Sequence, residues 1–180
     1  MLVLLDRDGV INVDLPPNGV LEVAQLHVYD YAGEAIRLLK AAGFAVAVVT
    51  NQSAIGKGLL SEEGLRTIHA EMQARLMQRS GVCIDAFYHC PDHPDAASVR
   101  RKPSDGMLRE ALKDFAADAQ HTPFVGDAVG DMQAAISAGC PPFLVLTGKG
   151  EQSATQLHTL GAPVTIAKDL LDAAHRITLN

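Results

Sequence analysis

The sequence has no excess of basic residues: 15 Lys and Arg stand against 21 Asp and Glu, giving a net charge of -6 and a pI near 5.6. A nucleic-acid partner would need a basic stripe to neutralise phosphates. Here the Lys and Arg residues are scattered, so no such partner is expected. No apolar stretch approaches the span of a membrane helix, and no basic segment followed by a signal-length apolar region opens the chain. Neither insertion nor export is predicted. Cysteine is scarce too: Cys83, Cys90 and Cys140 make an odd count without a framework, which suits a reducing cytoplasm. Repeats, low-complexity segments and linkers are missing. What remains is 180 residues, 48% apolar and 20% charged, which predicts a single globular domain over 1–180.

The stretch that organises the rest is residues 2–10, where Leu-Val-Leu-Leu runs into Asp6, Arg7, Asp8 and Gly9. Four apolar residues without alternation read as a strand buried on both faces of a parallel sheet. Asp6 and Asp8 then lie at its carboxyl end, the edge at which open α/β sheets bind ligands. Two carboxylates in one crevice repel unless a cation or a shared proton intervenes, so the pair points to Mg2+. An acidic solvated turn is the alternative.

Along the chain, 11–30 carries Pro16, Pro17 and Gly19 and reads as a loop or small hairpin over the strand ends, a flap. A helix is predicted over 31–42, with Asp30 as N-cap and Ala32, Ala35, Ile36, Leu39 and Ala42 on its buried face. Further strands are expected at 44–50, 82–89, 123–125, 142–146 and, weakly, 163–167. Residues 51–60 and 90–103 read as loops. The helix capped by Ser61 buries Leu65, Ile68, Met72 and Leu76 and ends at Gly81. Ser104 is expected to cap a helix burying Met107, Leu108, Ala111, Leu112 and Phe115, and shorter helices follow at 130–138, closed by Gly139, and at 169–175. Strands alternating with helices predict a doubly wound parallel sheet, α/β, with helices on both faces.

Every polar signal falls at a strand end. The second strand runs into Thr50, Asn51, Gln52 and Ser53, whose hydroxyls, amides and free N–H groups suit phosphate oxygens, though an ordinary loop has the same composition. Arg101 and Lys102 precede Pro103, where a held cation could neutralise a phosphoryl group or simply face water. The fourth strand leads to Asp127 and Asp131, a candidate metal ligand and its outer partner, or an acidic helix start favoured by the dipole. Four strand ends each carry what phosphoryl transfer needs there.

The order D-x-D-G-V, T-N, R-K-P, G-D-x-x-x-D resembles the haloacid dehalogenase superfamily of aspartate-dependent phosphatases, and the resemblance covers essentially the whole chain. The longer strings D-R-D-G-V-I-N, T-N-Q-S and R-K-P-x-x-G-M resemble its branch of heptose bisphosphate and histidinol phosphate phosphatases. The resemblance implies Asp6 as nucleophile, Asp8 as acid and base, Thr50 and Lys102 as stabilisers of the transferring group, and Arg101 as a substrate contact beside Asn51, Gln52 and Ser53. Mg2+ would be held by Asp6, the backbone carbonyl of Asp8, and Asp127. It also implies a capless protein, in agreement with the spacing: 41 residues between Asp8 and Thr50, and 51 between Thr50 and Lys102, leave no room for an inserted domain. An open site results, with specificity set by the flap at 13–20 and the loop at 90–100.

Relatives in this branch carry C-x-H and C-x-C around that loop, four ligands for a structural zinc. Here the positions read Cys90-Pro91-Asp92 and Ser98-Val99-Arg100, so zinc is expected to be absent even if His93 turns towards Cys90. Cys83 and Cys140 read as small buried residues. The partner implied is a small phosphate ester, with heptose 1,7-bisphosphate ahead of histidinol phosphate, and the protein is expected to be a cytoplasmic monomer. Leu15-Pro16-Pro17 and Ala128 replace polar groups frequent in heptose enzymes, and Asn18 and Lys57 could compensate. A phospho-accepting receiver domain also gathers acids, Thr and Lys at strand ends, but there the phosphorylated Asp ends a later strand. A nucleic-acid 3'-phosphatase of the same superfamily runs against the acidic balance.

Overall fold

The structure, a computed structural model, describes residues 1–179. Six parallel strands form one sheet in the order β3-β2-β1-β4-β5-β6: β1 (Leu2–Leu5), β2 (Ala45–Asn51), β3 (Ala86–Cys90), β4 (Phe124–Gly126), β5 (Pro142–Val145) and β6 (Thr165–Ala167). In register, Leu5 lies beside Val48 of β2 and Val125 of β4. The direction of strand succession reverses between β1 and β4, and at such a switch point the loops diverge and leave a crevice.

β1 is central because it can be buried on both faces. Val3 and Leu5 join α1 (Ala32–Ala41), α3 (Glu62–Ser80) and α7 (Leu170–Thr178) in one core, while Leu2 and Leu4 join α4 (Gly106–Asp114) and α5 (Val129–Ala138) in the other. None of the four is more than 1% exposed, and each such burial contributes about 1.5 to 3 kcal/mol. Short helices α2 (Ser53–Gly56) and α6 (Gly150–Ala154) stand at the strand ends, the first inside the 51–60 stretch expected to be a loop and the second where no element was predicted. Ser61 caps α3 by accepting from Gly64 N at 3.0 Å, and Gly81 and Gly139 close α3 and α5. Among the described residues no helix is long and apolar enough to cross a membrane.

Several expectations are corrected. β3 begins at Ala86 rather than 82. Val82 and Ile84 are buried, but the backbone of Ile84 bonds on both sides to the Gln73 amide, at 2.8 Å each, instead of a neighbouring strand. Asp30 does not cap α1; Tyr31 holds that position and Asp30 reaches Arg79. Nor does Ser104 cap α4, which starts after Asp105, whose carboxylate is taken by Arg109 and Ser137. Ala42 is half-buried at the end of α1, and Cys83 is half-buried where full burial was expected; Cys140 is buried. The flap is anchored more deeply than a surface loop: Ile11, Val20, Leu26 and Val28 belong to the core and Asn12 bridges to Val28, while Asp14 and 16–19 line the cleft at the strand ends.

Candidate active site

β1 and β4 each end just before an acid, and the Asp6 N–H donates to Val125 O at 2.8 Å, which holds Asp6 and Asp127 at one edge. Gly9 and Gly148 make room for Asp127. A Cβ on either would lie 2.1 Å from its Oδ2, and both have positive φ, +82° and +58°, a region that glycine enters without penalty. The Lys149 N–H also donates to that oxygen at 2.8 Å. Asp131, in the first turn of α5, accepts from Ala128 N with one oxygen and pairs with Lys102 through the other.

Lys102 is the hub. Its Nζ reaches Asp6 Oδ1 at 2.9 Å, Asp131 Oδ1 at 2.7 Å and Val49 O at 2.9 Å, so all three ammonium protons are used. Its backbone is gripped on both sides by the Asn51 amide, which accepts from Lys102 N and donates to Lys102 O. The amide of Asn51, expected at the substrate, is therefore committed to fixing this cation. Burial alone would lower the Lys102 pKa, but the Asp131 and Asp6 carboxylates reverse this and hold it above the ordinary range.

The charge here is unbalanced. Oxygens of Asp6, Asp127 and Asp131 lie within 4.8 Å of one another, and Lys102 pairs with only Asp6 and Asp131 of the three. Burial pushes Asp6 up to about 7 against the pull of Lys102, and burial with the Asp6 and Asp131 charges pushes Asp127 up to about 8. An all-oxygen donor set with surplus negative charge fits a hard divalent cation such as Mg2+.

Asp8 sits differently. It accepts from Arg7 Nη2 at 3.1 and 2.9 Å, from Asn12 Nδ2 at 2.9 Å and from Gln52 Nε2 at 3.0 Å. Burial would raise its pKa, but the Arg7 charge and these hydrogen bonds outweigh it and hold the carboxyl below its usual range. Gln52 also donates to Thr50 Oγ1 at 2.9 Å, so its amide is committed to ordering Asp8 and Thr50.

Asp6, Asp8, Thr50, Asn51, Gln52, Lys102, Asp127 and Asp131 line a cleft of about 350 Å3 together with Ser53 and Arg101. Pro16, Pro17 and Asn18 of the flap, Pro94 of the 90–101 loop, and Lys57 form its rim, and Lys57 Nζ meets Asn18 Oδ1 at 3.3 Å. Arg101 donates to Asp92 O at 3.2 Å. In the loop expected to lack zinc, Cys90 is buried, Asp92 Oδ2 accepts from Ser98 N at 2.7 Å, and the His93 ring accepts from Asp95 N.

Sequence reasoning missed four residues. Lys149 and Asp14 pair at 2.9 Å on the cleft wall; Lys149 lies between two glycines just past β5, a strand end to which no group was assigned. Arg7, read only as the spacer between two acids, is fully buried. His69 on α3 gave no signal, because its neighbour Arg7 is 62 residues away.

The model for HAD-hydrolase-like proteins matches residues 99–173. The chain is 39% identical over 178 residues to the D-glycero-beta-D-manno-heptose-1,7-bisphosphate 7-phosphatase of Neisseria meningitidis serogroup A, covering 98% of this chain and 94% of that protein. To the Pseudomonas aeruginosa protein of the same name it is 37% identical over 163 residues, covering 91% and 87%. The crystal structure of D,D-heptose 1,7-bisphosphate phosphatase from B. bronchiseptica, complexed with magnesium and phosphate, superposes with a TM-score of 0.92 at 36% identity over 99% of this chain and 98% of that one.

Proposed function

Because this chain belongs to the HAD-like phosphatase family of the heptose-1,7-bisphosphate 7-phosphatases, we propose that it removes the 7-phosphate of D-glycero-β-D-manno-heptose 1,7-bisphosphate through a phospho-Asp6 intermediate. The observation that carries the reading is Lys102, charged and fully bonded, 2.9 Å from Asp6 at the floor of the cleft. An anionic nucleophile meets an anionic ester only where such charge is already in place.

An Asp6 oxygen attacks phosphorus while the bond to the sugar oxygen breaks, and the departing alkoxide takes a proton from Asp8. Water then attacks the acyl phosphate and gives its proton to Asp8, releasing phosphate and restoring the Asp6 carboxylate. In the free enzyme Asp8 is ionised, ready for the second step. For the first it takes up a proton as the phosphate dianion arrives, since a like charge raises its pKa. Lys102 steadies the equatorial oxygens through its charge and Thr50 through its hydroxyl, with Asn51 and Gln52 holding those two groups in place and Ser53 at the cleft wall. Asp6, Asp127 and the Asp8 carbonyl would hold Mg2+. When bound, that ion would supply positive charge to offset the repulsion between an anionic nucleophile and an anionic ester. Asp131 keeps Lys102 protonated and aimed.

At the mouth, Arg101 and Lys57 are cations for the far end of a doubly anionic ester. The flap favours the second reading, histidinol phosphate: it offers Pro16 and Pro17 where a second phosphate would profit from polar groups. Three free thiols and the acidic balance support a cytoplasmic enzyme acting alone on small molecules. Comparing kcat/KM for the two esters tests the choice. Heptose bisphosphate should lead, and a preference for histidinol phosphate of more than about tenfold, or about 1.4 kcal/mol in transition-state binding, would overturn it.

A further inference from the structure

Among the described residues Arg7 is the largest fully buried side chain, and it carries a permanent charge, a costly arrangement unless the charge is paired and bonded. Its fork is divided. Nη2 serves both Asp8 oxygens and Gln52 Oε1 at 3.2 Å, and Nη1 lies 3.2 Å from His69 Nε2. A guanidinium can only donate, so His69 Nε2 must be the acceptor, and the ring is the neutral tautomer with its proton on Nδ1. Burial and then the Arg7 charge depress the His69 pKa to about 3, which keeps that acceptor available. The ring in turn lies flat on Phe87 of β3, centroids 4.3 Å apart and planes 18° from parallel. A chain of fixed groups thus runs from the sheet edge to the carboxylate that handles protons.

We propose that Arg7 and His69 are positioning residues for Asp8: His69, stacked on Phe87, fixes the guanidinium of Arg7, and that guanidinium fixes the Asp8 carboxylate in its orientation at the cleft. The proposal rests on the reading of Asp8 as acid and base. Asn12 and Gln52 also hold Asp8, but both are neutral amides, whereas Arg7 is the cation paired with it. Without His69, Nη1 loses its buried acceptor and the fork is held through Nη2 alone, which weakens the alignment of Asp8 that proton transfer needs.

The leaving group separates this role from a merely structural one. An alkoxide needs the Asp8 proton to depart, whereas p-nitrophenolate does not. The experiment measures single-turnover formation of phosphoenzyme with Mg2+ present, using heptose 1,7-bisphosphate and p-nitrophenyl phosphate. General acids contribute about 10²- to 10⁴-fold, so His69→Ala should slow the sugar ester at least about tenfold and the nitrophenyl ester less than about threefold. His69→Gln, whose amide oxygen can accept from Nη1, should restore the sugar ester to within about threefold of the native rate. Asp8→Asn must show the same discrimination more strongly; if it does not, the reading of Asp8 fails. If Asp8→Asn discriminates while His69→Ala slows both esters equally, or neither, the positioning role fails. Arg7→Lys, which keeps the charge and loses the fork, carries the same comparison should His69→Ala not fold.

Discussion

His69 should make the protein's stability depend on pH in a way that one substitution removes. In the unfolded chain it titrates near 6.5; in the folded protein burial, followed by the Arg7 charge, lowers it to about 3. Between these values the unfolded state binds a proton that the folded state refuses. Unfolding is therefore favoured as pH falls, and the contribution is complete above 6.5 and lost progressively towards 3. Linkage over that window gives a loss of about 2 kcal/mol between pH 7 and pH 5 from this side chain. Only 8% of the residue is exposed, so little of that is screened by solvent. Every carboxylate that titrates in the range adds its own slope, so the informative quantity is a double difference. Urea denaturation of the native protein and of His69→Gln at both pH values should show the native protein losing about 2 kcal/mol more than the variant. Equal losses would mean that the folded state accepts the proton. Nε2 would then not be the acceptor of the Arg7 bond, and the tautomer argument would collapse.

Asp6→Asn should lower kcat at least about a thousandfold, the scale on which loss of a nucleophile acts, with thermal unfolding unchanged; near-native turnover at saturating substrate would rule out Asp6 as nucleophile. Gly148→Ala should drive a methyl group into Asp127 Oδ2, which would be 2.1 Å away, and into the Gly9 backbone. The Mg2+ concentration for half-maximal activity should rise about tenfold or more, and an unaltered Mg2+ response would remove Asp127 from the metal site. Elemental analysis of protein prepared without chelator should find substoichiometric zinc. The 90–101 loop is tied instead by Asp92 to Ser98, Arg101 to Asp92, and Gly56 to Pro91. A full equivalent per chain would contradict this.

Much of the fold is legible without coordinates, for a reason particular to parallel sheets. Strands covered on both faces are uninterrupted apolar runs, so 2–5 and 45–49 announce themselves, and the polar residues that follow must lie at the ligand-binding edge. Helices with a strong local stop or start, such as Ser61 before α3 and Gly81 after it, are equally plain. Where side chains take over the work of a ladder, the pattern misleads. Val82 and Ile84 alternate like a strand, yet Gln73 from α3 satisfies the backbone of Ile84. Asp30 and Ser104 are ordinary capping residues by type, but Asp30 faces solvent beside Arg79 and α4 begins two residues beyond Ser104, after Asp105.

For the site, residue identity was enough to nominate Asp6, Asp8, Thr50, Lys102 and Asp127, because the chemistry of phosphoryl transfer restricts which groups are useful at a strand end. It could not reveal which nominated groups face substrate and which hold others still. Asn51 and Gln52 have all the credentials of phosphate ligands, and only the packing shows their amides committed to Lys102, Asp8 and Thr50. Arg7 and His69 meet across 62 residues, and Lys149 reaches Asp14 across a longer gap still. Protonation also belongs to the tertiary structure. Asp6 and Asp8 are the same residue type two positions apart, yet burial raises one while a buried guanidinium lowers the other. A side chain's type sets what it can donate or accept; its charge and aim depend on the groups that distant segments bring within hydrogen-bonding distance after water has been excluded.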